Sequence, residues 1–131
     1  MKSRLFDFVL DYSDICQWWL GWRGWDTPVK SECLPQTGII VENNGEKLCS
    51  CFIYRTDSAW CVINWFLMNP KAKKENRKGC IEFLIKAATK KAKDMGFKYV
   101  DVMVDKESVI KKLEKEGYKR AEILTRIIKR L

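Results

Sequence analysis

Apolar residues recur at helical spacing from the start of the chain: Leu5, Phe8, Val9, Tyr12, Ile15, Cys16, Trp19 and Leu20 fall on one stripe. The spacing predicts an amphipathic helix ending near Gly21 or Gly24, with Trp18, Trp22 and Trp25 off the stripe. Asp26 to Thr37 holds Pro28 and Pro35 and reads as loop. The pattern then becomes β-branched and short. Gly38 to Glu42 is predicted as a strand, Asn43-Asn44-Gly45 as a hairpin turn, and Lys47 to Arg55 as the returning strand. Thr56-Asp57-Ser58 turns the chain again, and Ala59 to Met68 is apolar enough to be a central strand.

The run Cys61-Val-Ile-Asn-Trp-Phe-Leu-Met68 stops at Asn69-Pro70, and a basic loop, Lys71 to Gly79, opens directly into a second amphipathic helix, Cys80 to Met95. Ile81, Leu84, Ile85, Ala88, Ala92 and Met95 form its apolar face, and Gly96 ends it. Phe97 to Val104 reads as a strand parallel to its predecessor, because a helix crosses between them. Val109, Ile110 and Leu113 give a last helix its core face before Gly117, and Ala121 to Ile128 alternates as a final strand. The order is helix, three strands, helix, strand, helix, strand, with no repeat or linker. This predicts a single α/β domain with a mixed sheet.

Charge changes this picture. Residues 1–70 carry six Lys/Arg and eight Asp/Glu, a net −2, whereas residues 71–131 carry 19 and nine, a net +10. A basic half attracts polyanions, nucleic acid or an acidic partner among them; it also suits a solvated helix face, since most of these lysines lie opposite the apolar stripe. Asp7, Asp11 and Asp14 interrupt the first segment, which argues against a signal peptide, and no charge-free stretch reaches membrane-spanning length. The six cysteines, at positions 16, 33, 49, 51, 61 and 80, lack the density of a disulfide scaffold and are expected as reduced thiols in a cytoplasmic protein. With no histidine and no Cys-x-x-Cys, neither a metal site nor a histidine-based triad is expected. Gly-x-x-x-x-Gly-Lys-Ser/Thr and Gly-x-Gly-x-x-Gly are both missing. What remains is strand, basic glycine loop and helix start, which presents free backbone N–H groups and positive charge to a phosphate.

From Cys61 to Tyr118 this arrangement resembles the GNAT family of N-acetyltransferases. In that family a Gln/Arg-x-x-Gly-x-Gly/Ala loop holds the pyrophosphate of acetyl-CoA. Gly79 falls on the first motif glycine, Arg77 and Lys78 lie just before it, Asn76 takes the Gln/Arg position, and Cys80 and Ile81 open the helix. Leu113-Glu-Lys-Glu-Gly-Tyr118 resembles the family's Tyr-Glu-Lys-x-Gly-Phe. The resemblance implies a GNAT-like mixed central sheet flanked by helices, acetyl-CoA as cosubstrate and an amine as acceptor. It implies that backbone groups near Phe66 and Met68 hold the pantetheine arm. Two positions depart from the pattern: Ile81 replaces Gly/Ala, and Leu113 stands where many members carry the tyrosine that protonates the departing thiolate.

An acceptor amine must be neutral to attack, so a base or water chain is needed. Asn64 points from the central strand, Asp57 and Glu42 are candidate bases, and Tyr118 is a phenol that can replace the missing acid. Trp22 and Trp25 are the candidates for an acceptor wall. The acceptor's class is open, the alternative is a non-catalytic module of the same fold that binds nucleic acid or an acidic protein through the basic half, and the chain is expected as a monomer or homodimer without membrane contact. Its small size, with the Tyr54-x-Thr-Asp-Ser58 and Asn69-Pro70 segments, is similar to stand-alone members encoded by phages and prophages.

Overall fold

A computed structural model of the chain describes residues 1–22 and 27–131. Strand β1, Lys2–Leu5, leads into helix α1, Phe8–Gly21, and a single 3-10 turn, Ser31–Cys33, precedes the hairpin of β2, Gly38–Asn43, and β3, Glu46–Tyr54. Strand β4, Trp60–Met68, is followed by the one-turn helix α2, Lys74–Arg77, then α3, Cys80–Asp94, β5, Tyr99–Val102, and α4, Glu107–Lys115. The five strands form one mixed sheet in chain order, antiparallel from β1 to β4, with β5 parallel to β4.

The α/β mixed sheet, the hairpin, α3 and the parallel β5 agree with the sequence. Asn44 and Gly45 take positive φ at the hairpin turn. One face of the sheet packs Val41, Cys49, Ile53 and Ile63 against Leu84, Ile85 and Ala88 of α3 and Leu113 of α4. The other face packs Ile40, Phe52 and Leu67 against Ile15, Trp18 and Trp19 of α1. Each fully buried side chain of this size contributes roughly 1.5–3 kcal/mol.

Three expectations are corrected. First, Lys2–Leu5 is not helix but an edge strand paired with Ile39 to Glu42 of β2. Second, the buried stripe of α1 is rotated: Trp18 is buried, whereas Val9 is 91% and Leu20 50% exposed. Asp11 lies on the buried face, fully buried between Arg4 (2.7 Å) and Lys47 (2.8 Å). Burial alone would push the Asp11 carboxyl up, but hydrogen bonds from Arg4 and Lys47 outweigh it and hold the group well below the usual carboxylate range. A paired charge thus belongs to the face of α1 that packs on the sheet.

Third, Ala121 to Ile128 forms no strand. It pairs with none of the five, and Ile123, Leu124, Ile127 and Ile128 are exposed. Alternation makes a strand only where a neighbouring edge supplies the hydrogen bonds. The β5 strand is also shorter than the apolar run that predicts it, because its ladder with β4 spans Tyr99 to Val102 and ends with the Met103 N–H on the Ile63 carbonyl (3.2 Å).

Candidate active site

The β5 ladder ends where β4 continues. Trp60 to Ile63 pair with Tyr99 to Val102, and β5 ends there while β4 runs on to Met68. Among the described strands, residues 64, 67 and 68 pair with β3. Asn69 donates its N–H to the Leu48 carbonyl (2.8 Å), and Leu67 lies opposite Ser50. Backbone groups alternate sides along an antiparallel strand, so those of Met68 face the opened crevice. There the Met68 carbonyl accepts a 2.7 Å hydrogen bond from the Trp22 indole N–H.

A bulge lies just before this point. The register shifts between Ser50 and Phe52, so that Cys51 faces both Trp65 and Phe66. Trp65 has φ 59°, a left-handed conformation that bulky residues rarely adopt. Its N–H donates to the Asn64 side-chain oxygen at 2.7 Å, and its indole N–H donates to the Tyr54 hydroxyl at 2.8 Å. The Tyr54 hydroxyl in turn donates to the Cys33 carbonyl (2.8 Å). Asn64 therefore holds the bulge in shape.

Across the crevice, Gly79 at φ 79° turns the chain into α3. Among the described residues no side chain caps this helix start, and a Cβ at Gly79 would meet nothing within 4 Å. First-turn N–H groups of α3 are thus left without a cap at the mouth of an open space. That space is a groove of about 550 Å³ lined by Trp22, Met68, Lys74, Arg77, Lys78, Gly79, Cys80, Ile81, Glu82, Lys106 and Lys112. Five cations line it against one carboxylate, Glu82, which pairs with Lys112 at 3.3 Å. The Lys106 ammonium lies 5.1 Å over the Trp22 ring. Close approach of α1 to the Asn69-Pro70 turn brings Trp22 here, since a Cβ at Gly21 would sit 2.7 Å from Pro70 Cγ.

Of the residues singled out from sequence, Met68, Arg77, Lys78, Gly79, Cys80, Ile81 and Trp22 come together in this groove. Asn76 does not line it: the buried carboxamide bonds Glu46 (3.1 Å) and Asn44 (3.0 Å) and ties the loop to the hairpin. The Phe66 side chain packs on the α3 core. Asp57 is exposed at the opposite end of β4, eight residues of strand or about 26 Å from Met68. Glu42 pairs with Arg4 at 2.9 Å, away from the groove. The Tyr118 hydroxyl meets Thr89 at 2.6 Å, about 13 Å along α3 from its start, and burial pushes the phenol up. Leu113, 4% exposed, is core. Trp25 lies outside the described residues.

Sequence reasoning missed Lys74, Lys106, Lys112 and the bulge at Trp65. The excess of positive charge after residue 70 was the available signal for the lysines. All six cysteines are free thiols. Hydrogen bonding with Cys80 and burial push the Cys49 thiol far up, so it is no nucleophile at neutral pH. Among the described residues no group of acids and cysteines converges as a metal site, and no helix is long and apolar enough to cross a membrane.

No protein-family profile and no curated protein sequence matches the chain. Solved structures do. A transcriptional regulator from Bacillus halodurans C-125 superposes with a TM-score of 0.73 at 13% identity, over 97% of this chain and 98% of that one. An aminoglycoside acetyltransferase from an uncultured soil metagenomic sample, in complex with sisomicin, gives 0.71 at 12% identity over 99% and 95%. The ribosomal-protein-alanine N-acetyltransferase from Brucella melitensis biovar Abortus 2308 gives 0.69 at 10% identity over 98% and 99%. With a five-stranded mixed sheet flanked by helices, the chain has a GNAT-like fold.

Proposed function

We propose that the chain is an acetyl-CoA-dependent N-acyltransferase that passes an acetyl group to an amine. The observation that carries this reading is the meeting, in one basic groove, of the uncapped start of α3 with the unpaired side of β4. The fold likeness to acetyltransferases supports it.

The residues fit the cosubstrate. Open space before Gly79 and the first-turn N–H groups of α3 suit a pyrophosphate, with Arg77 and Lys78 beside it. Lys74, Lys106 and Lys112 supply charge for a further phosphate. Acetyl-CoA would supply the activated acyl carbon and a thiol leaving group. A backbone N–H between Phe66 and Met68 would donate to the acyl oxygen, fixed in place by the bulge and so needing little reorganisation. Trp22 would give up its bond to the Met68 carbonyl, freeing that acceptor for an amide N–H of the arm. Leu113, being core, donates no proton. The C–S bond breaks as the amide C–N bond forms; water or a groove lysine would protonate the departing thiolate, and water would take the proton that the amine loses.

A thermal-shift titration tests the reading, because a ligand that binds only the folded chain raises its melting temperature. Acetyl-CoA and CoA should both raise it, and adenosine without phosphates should not. No shift at about millimolar acetyl-CoA, far above typical substrate affinities, would sink the reading.

A further inference from the structure

Residues 119–131 carry five cations, Lys119, Arg120, Arg126, Lys129 and Arg130, against Glu122, a net +4. The segment belongs to no helix or strand. Its apolar side chains do not hold it down: Ile123 is 102% and Ile127 88% exposed. Yet it returns to the sheet at one point, where the Arg126 guanidinium carbon lies 5.1 Å over the Trp65 ring. The receiving ring is built for position. Its backbone is the left-handed bulge residue, its indole edge is fixed by Tyr54, and Trp19 meets it edge-on with centroids 6.2 Å apart. One helical turn beyond Trp19, Trp22 bonds Met68 at the groove. The last turn of α1 thus runs along β4, joining the Trp65 site to the cosubstrate groove about 10 Å away.

We infer that the Trp65 face is the cation subsite for the acceptor, and that Arg126 of the chain's own C-terminal segment fills it in the free protein. The acceptor role rests on the acyl-transfer reading; the cation site rests on the Trp65 geometry alone. The ligand class is a flat cation of the guanidinium kind, free or borne on a basic peptide. An aromatic face attracts a cation through its quadrupole, and guanidinium groups also stack on it. An exposed contact of this kind is weak enough for an incoming cation to displace Arg126.

The test is calorimetric titration of the full chain and its Arg126→Ala variant, in which an exposed side chain is lost and folding is undisturbed. Arginine amide is the probe. Citrulline amide, of the same shape without the side-chain charge, is the control, and a peptide of residues 119–131 is the second ligand. Arginine amide should bind Arg126→Ala about 2- to 30-fold more tightly than the parent chain, the factor one cation–π contact supplies. Citrulline amide should not distinguish the two proteins. Tighter binding of the peptide than of arginine amide supports a polypeptide source; equal binding supports a small one. Adding Trp65→Leu, if the protein stays folded by circular dichroism, should abolish the gain. Equal affinity of arginine amide for both proteins, or no binding of either ligand to Arg126→Ala, overturns the inference. An acetyl-CoA thermal shift on the same samples separates the two ideas. A retained shift without cation binding sinks the subsite alone. Cation binding without a shift sinks acyl transfer, and with it the acceptor role.

Discussion

Three residues were given roles by sequence and acquire physical reasons in the structure. Gly79 takes φ 79°, where an L side chain costs roughly 1–2 kcal/mol, and its missing Cβ leaves the space before α3 open. Gly79→Ala should therefore lower stability by about 1 kcal/mol, yet weaken the acetyl-CoA thermal shift disproportionately. A shift as large as that of the parent chain would show that the phosphates sit elsewhere. Leu113 is the reverse case. Its alignment with a family tyrosine suggested a vacancy at the leaving thiol, but it is buried on the α3 face of the sheet. Leu113→Ala should cost about 2–5 kcal/mol and Leu113→Tyr about 1–3, by cavity and by overpacking, as urea denaturation would measure. A tyrosine there that raised turnover without destabilising the fold would contradict the core assignment. Asn64 now has a task that sequence did not show: its oxygen satisfies the N–H of a bulge residue. Asn64→Ala removes that hydrogen bond and should cost about 0.5–1.5 kcal/mol, as urea denaturation would measure.

At the level of elements, hydrophobic period made α3 and the hairpin legible, because each follows its pattern between glycine-bearing ends. Helix α1 was legible in extent and in part of its face, since Ile15 and Trp19 of the stripe are buried while Val9 and Leu20 are exposed. A pattern read from apolar positions takes Asp11 for surface, whereas Arg4 and Lys47 converge on it from β1 and β3. Strand β1 was invisible for the same reason, being four residues, Lys-Ser-Arg-Leu, with one apolar side chain. The ion cluster predicts a pH dependence. The Asp11 carboxyl is depressed in the fold, so its stabilisation is complete above the unfolded value near pH 4 and is lost as pH falls below that value. Asp11→Asn should cost about 3 kcal/mol near pH 7, since it strands two partly buried cations. The gap should narrow by about 1 kcal/mol at pH 3. A gap unchanged with pH would show that Asp11 is held by packing and not by charge.

For the molecule as a whole, the site was legible where it is local in sequence and illegible where the fold assembles it. Arg77 to Ile81 are contiguous, and their chemistry is readable as a motif. Lys106 and Lys112 arrive from the cap and body of α4, which no spacing announces, and Trp22, singled out from sequence for an acceptor wall, arrives from the end of α1. The net +10 of residues 71–131 is partly explained by the groove. If the remainder binds nucleic acid, affinity should fall steeply between low and physiological salt, with a log–log slope of several units; salt-insensitive binding would make it a solvated surface.

The most direct measurement is backbone hydrogen exchange with and without saturating acetyl-CoA. Among the described residues the first turn of α3 has no side-chain cap, and β4 runs past the end of its ladder with β5, so both stretches carry N–H groups open to exchange. Acetyl-CoA should slow exchange at two separated stretches together, Arg77 to Glu82 and Phe66 to Met68, and leave the Thr56-Asp57-Ser58 turn unchanged. Protection confined to residues 119–131, or no protection at either stretch, would contradict a groove shared by the start of α3 and the free side of β4.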